Sequence, residues 1–157
     1  MSGKKKPRVP KYPANPDALR IVTSFSRPMP ERLALENHNK ALAALERLRT
    51  TDDDKQVMTD MQLMGGAYNV ALELLPVVGL GGNETAERVI DAWGEVVHGV
   101  CNLRAKHGVW SFAPVDFEAL GDGVDFYGQL LRLASQNQLN AAALSVARKV
   151  AKLKGIA

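Results

Sequence analysis

From Glu31 to Leu153, apolar residues return every three or four positions in long runs, and each run stops at proline, glycine or a short polar turn. That spacing puts apolar groups on one side of an α-helix, whereas a half-buried strand would alternate strictly. A first helix is expected from Pro30 or Glu31 to about Arg49, with Leu33, Leu42, Ala43 and Leu45 as apolar positions. Thr50 to Asp54 reads as a turn and N-cap. The second helix follows with Val57, Met61, Met64, Tyr68, Ala71, Leu72 and Leu75 in one stripe. Gly65 and Gly66 interrupt that stripe at up to about 1 kcal/mol each, which predicts either close approach of a neighbouring helix or a bend there.

Pro76 with Gly79, Gly81 and Gly82 ends the second segment, and Asn83 to Thr85 supplies the next cap. A third helix from about Glu84 to Lys106 carries Val89, Ile90, Trp93, Val96, Val97, Val100 and Leu103, and it finishes in Arg104, Lys106 and His107, which suit its negative end. His107 to Pro114 is too short and too punctuated for a helix and is expected to drape over the core. Pro114 to Phe117 opens a fourth helix with Phe117, Leu120, Val124, Tyr127, Leu130, Leu131 and Leu133, weakened in its middle by Gly121 and Gly123. A last helix from about Leu139 to Leu153 places Leu139, Ala142, Val146, Val150 and Leu153 on one side and Arg148, Lys149 and Lys152 towards water. With no convincing strand, the fold class is all-α: an irregular bundle of about five helices behind an extended Pro/Lys-rich N-terminal arm.

At 157 residues the chain suits one domain, here 29–157, preceded by an arm over 1–28. A chain of this size buries roughly two-thirds of its unfolded surface, enough for a core without covalent staples. The one cysteine, Cys101, excludes an intramolecular disulfide and any multi-cysteine metal cage, and it favours a reducing, cytoplasmic home. No apolar run approaches the roughly 20 residues of a membrane span, and no apolar segment follows the first lysines as a secretory signal requires.

Charge is divided along the chain. Residues 1–28 hold seven cations against Asp17 alone, a net +6, while residues 51–134 carry a net −8 and residues 135–157 a net +4. Pro7, Pro10, Pro13 and Pro16 recur every third residue, so the arm is expected to be extended and polyproline-like when free. Its cations can seek nucleic-acid phosphates and displace counterions, fold back on the acidic body or meet a partner protein, or merely solubilise the chain.

Sites for chemistry are scarce. Gly79 to Glu84 superficially evokes a dinucleotide loop, yet Glu84 replaces its last glycine and would repel a pyrophosphate. Glu95 and His98 share a helix face at the spacing of a di-iron ligand pair, but only one copy occurs, and a solvated pair is the simpler account. Cys101 has His98 three residues before it but lies next to Val100 in the apolar stripe, so an inert core thiol is expected. Trp93, Trp110, Phe112, Phe117 and Tyr127 are expected to be core anchors, while Tyr12 and Phe25 in the arm suit stacking or docking. No catalytic residue, metal site or cofactor is expected.

The order Asn37-His-Asn-Lys-Ala-Leu-Ala-Ala-Leu45, Thr50-Thr-Asp-Asp53, Gly108-Val-Trp-Ser-Phe112 and Asp125-x-Tyr127-x-Gln129-Leu-Leu131 resembles small helical proteins of proteobacterial phages, prophages and mobile elements. The resemblance spans most of the chain, transfers no catalytic residue and implies a bacterial accessory factor acting on DNA, RNA or a host protein. Together these features favour a non-enzymatic protein that associates with nucleic acid, nonspecifically or by structure, through Lys4, Lys5, Lys6, Arg8 and Lys11, with Arg148, Lys149 and Lys152. The alternative is an inhibitor or adaptor whose acidic body, through Asp52, Asp53, Asp54, Asp116, Glu118, Asp122 and Asp125, engages a basic host or partner protein. Self-association is compatible with either.

Overall fold

The computed structural model describes residues 30–155, so the basic arm falls outside the described residues. Local signals account for the elements. Helix α1 spans Glu31–Thr50. Helix α2, Asp54–Val77, starts where the Asp53 carboxylate accepts from the Lys55 amide at 3.3 Å. Helix α3, Glu84–His107, is capped by Asn83, whose side-chain oxygen accepts from the Ala86 amide at 3.0 Å, and it stops at Gly108 in the left-handed region with φ 73°. Helix α4, Pro114–Leu133, has Pro114 at its first position and Asp116 accepting from the Ala113 amide at 2.7 Å. Helix α5, Gln136–Leu153, opens three residues before the sequence expectation because Ser135 and Gln138 form a reciprocal capping box.

The first four helices run alternately up and down. Arg49 at the end of α1 lies over Phe117 at the start of α4, and the Arg104 guanidinium at the end of α3 grips Asp54 at the start of α2. Each helix packs on the next, and α4 returns to α1, while α5 packs mainly on the outer side of α2. The core centres on Trp93, fully buried with Met64, Leu74, Ile90, Leu120, Leu130 and Leu131. Tyr68 of α2 meets the Trp93 ring edge-on at 5.6 Å, and Tyr127 of α4 lies 6.4 Å from it. Desolvation pushes the Tyr127 phenol up to about 12, so it sits in the core as a neutral group. As expected, residues 108–113 cover one end of the bundle: Phe112 stacks on Phe117, and Arg104 lies over Trp110.

Several sequence expectations need correction. The close approaches are at Gly94, which faces the Tyr68 ring, and at Gly123 and Gly128, not at Gly65 and Gly66. A β-carbon on Gly123 would lie 2.4 Å from the Trp93 ring and one on Gly128 would lie 2.5 Å from the His38 ring, whereas Gly65 has only an ordinary contact with Val97 and Gly66 has open space. Gly123 therefore admits the largest core side chain instead of weakening α4. In α1 the buried residues are Ala34, Ala41, Ala44, Leu45 and Leu48, while Leu42 and Ala43 face solvent, because small alanines let α1 lie close to α4 and α2. Cys101 is exposed: one residue past Val100 is about 100° around a helix, which carries its thiol off the buried face. Val150 and Leu153 are exposed as well, since among the described residues α5 packs mainly on α2.

Candidate functional site

The cations expected on the last helix line one shallow groove of α5 but differ in their ion pairing. Lys149 forms an ion pair with Glu73 of α2, and Ser145 donates to the same carboxylate oxygen at 3.1 Å. These contacts hold the Glu73 carboxyl below its ordinary range, with the Lys149 bond the largest cause. Arg148 and Lys152 lie one turn apart on the outer side of α5, beside Leu144 and Ser145, and form no ion pair among the described residues. Lys4, Lys5, Lys6, Arg8 and Lys11 lie outside the described residues.

The seven candidate acids are also divided. Asp53 caps α2, Asp54 receives Arg104 through two hydrogen bonds of 3.2 and 3.1 Å, and Asp116 caps α4. These three have structural work at one end of the bundle, where Asp52 and Glu118 are exposed. Asp122 and Asp125 stand apart from that end. They line a groove of about 620 Å³ between the first turns of α3 and the stretch of α4 from Asp122 to Leu133. Its apolar lining includes Leu80, Val89, Phe126 and Leu133, the last 59% exposed. Among the described residues no cation lines this groove and neither aspartate has an ion-pair partner.

No family model, curated protein or solved structure matches this chain. The surfaces themselves therefore carry the functional argument. Glu95 and His98 are both exposed on α3, and among the described residues no three His, Cys, Asp or Glu side chains gather as a metal cluster. None of the described helices is long and apolar enough to cross a membrane.

Sequence reasoning missed Asp60. It is 0% exposed on the inner side of α2, where Arg47 of α1 donates to both its oxygens at 2.9–3.2 Å and Gln56 adds a bond of 3.1 Å. The signal was present, because Asp60 falls three residues after Val57 and four before Met64 on the apolar stripe. An aspartate at a core position needs a charged partner. Arg47 is 46% exposed, so its outer side remains hydrated. The pair pins α1 to α2 and leaves no free carboxylate for chemistry.

Proposed function

We propose that this chain is a non-enzymatic accessory protein of a phage or mobile element, working in the cytoplasm and associating with nucleic acid through its flanking basic segments. Lys4, Lys5, Lys6, Arg8 and Lys11 supply most phosphate contacts, and Arg148 and Lys152 add a second point of attachment. The observation that carries this reading is the placement of Arg148 and Lys152: exposed, unpaired among the described residues, and on the helix across α2 from the acidic groove. A polyanion laid along α5 therefore avoids Asp122 and Asp125. Such contacts position a backbone without reading bases, so binding is nonspecific or shape-dependent. Lys149 is a weaker contributor, because Glu73 already neutralises it.

Fluorescence anisotropy with an arbitrary labelled duplex and an arbitrary single strand, measured across a salt series, tests this. Affinity should fall steeply with salt and collapse when residues 1–28 are deleted. Arg148→Gln with Lys152→Gln should lower the duplex log–log salt slope by up to about 2, near 0.9 per lost phosphate contact. Affinity indifferent to salt and to the deletion overturns the reading. A partner protein retained after nuclease treatment and lost on neutralising the exposed acids would favour the adaptor alternative instead.

A further inference from the structure

The groove between α3 and α4 combines two features that a folded body rarely leaves open together. Its lining exposes large apolar side chains, with Phe126 half-buried and Leu133 more than half exposed, and Asp122 and Asp125 stand over it without a described cation. A fitting occupant supplies apolar groups and positive charge on the same short stretch.

The chain carries such a stretch. Residues 4–13 read Lys-Lys-Lys-Pro-Arg-Val-Pro-Lys-Tyr-Pro. A polyproline helix has three residues per turn, which would place Lys5, Arg8 and Lys11 along one edge and Lys6, Val9 and Tyr12 along another. One edge is then cationic and the next carries the apolar groups. Proline-rich segments in this form lie in grooves with aromatic linings and lose little entropy on docking.

The path is short. His38 of α1 rests on Gly128 of α4, so the start of α1 lies at the same end of the bundle as Phe126 and Leu133. From Pro30 the chain has only to pass around α4, roughly 10–12 Å across. A stretch of 18 residues, the number from Tyr12 to Pro30, could reach up to roughly 55 Å if extended at about 3.1 Å per residue.

We propose that the α3/α4 groove is the docking site of this chain's own basic leader, with Val9 and Tyr12 against Phe126 and Leu133 and the adjacent cations against Asp122 and Asp125. The docking stands on the groove and the leader; its consequence, that the docked leader is withheld from nucleic acid, rests on the function proposed above. Docking and phosphate binding then compete for the same cations, and apparent affinity falls with the fraction of chains whose leader is docked.

The test uses the full chain, mixed as equal parts light and 15N-labelled protein and treated with a zero-length carbodiimide that joins lysine to carboxylate. Cross-links from Lys4, Lys5, Lys6 or Lys11 should reach Asp122 and Asp125, and both partners should carry the same isotope. Asp122→Asn with Asp125→Asn should speed tryptic cleavage in residues 4–11 at least about threefold, whereas Glu46→Gln with Asp52→Asn, an equal change of charge, should not. Cross-links spread evenly over exposed carboxylates, or cleavage rates equal in the two variants, overturn the docking. Pairs of mixed isotope overturn it in favour of a second copy. In the same variants, duplex affinity should rise for the groove pair and not for the control pair. Docking confirmed in a protein that binds no nucleic acid sinks the nucleic-acid reading alone, and salt-sensitive binding without the cross-links sinks the docking alone.

Discussion

Helices α4 and α5 have similar lengths and similarly spaced apolar residues, yet they meet different fates. Wedged between α1 and α3, α4 buries Leu120, Gly123, Val124, Tyr127, Gly128, Leu130 and Leu131; α5 buries only Leu139 and Ala142. An amphipathic pattern states which side a helix would bury. The number of neighbours decides how much of that side is covered.

The contrast is sharpest at single residues. Trp93→Ala should cost about 3–5 kcal/mol in denaturant unfolding, because a fully buried indole leaves a cavity among rigid neighbours. Leu153→Ala, at a side chain 88% exposed, should stay within about 0.5 kcal/mol. Equal effects would mean that α5 is buried in solution by an additional partner. Next in size, Gly123→Ala should cost about 1–3 kcal/mol by driving a methyl group into the Trp93 ring. Gly66→Ala, with open space around it, should instead stabilise by up to about 1 kcal/mol. Matching signs at the two glycines would break the proposed packing.

A loss of comparable size is expected for Arg47→Leu, which leaves the fully buried Asp60 carboxylate with Gln56 as its remaining described donor. The double change Arg47→Leu with Asp60→Leu should recover thermal stability, since it removes the buried charge with its partner. The smallest effect belongs to α5. The lowered Glu73 pKa means that the Lys149 contact contributes fully above the ordinary glutamate range and is lost as pH falls through the folded-state value. The contribution is within about 1 kcal/mol, because Lys149 is largely solvated. Hydrogen exchange should show α5 opening more readily than α1–α4, and Lys149→Ala should flatten the acid-side increase in α5 opening.

The helices were legible because their determinants are local. Pro114, Asn83 and Gly108 act within one turn of where they sit in the chain. Even the early start of α5 is written in Ser135 and Gln138, a capping box that the periodicity alone overlooked. The candidate acids were less legible. Asp52 to Asp54 make a conspicuous run, yet the fold assigns Asp53 to a cap and Asp54 to Arg104. Asp122 and Asp125 define the groove only because α3 and α4 meet where they do.

The sequence by itself determined the five helices of the described residues, their ends and the uneven charge, since backbone capping, proline geometry and apolar spacing act over a few residues. Tertiary structure alone decided that Gly123 faces Trp93, that Asp60 receives Arg47, that Cys101 turns outward and that Val150 and Leu153 stay uncovered. Those outcomes depend on the rotation and neighbours of each helix, which are set by packing between segments far apart in the chain.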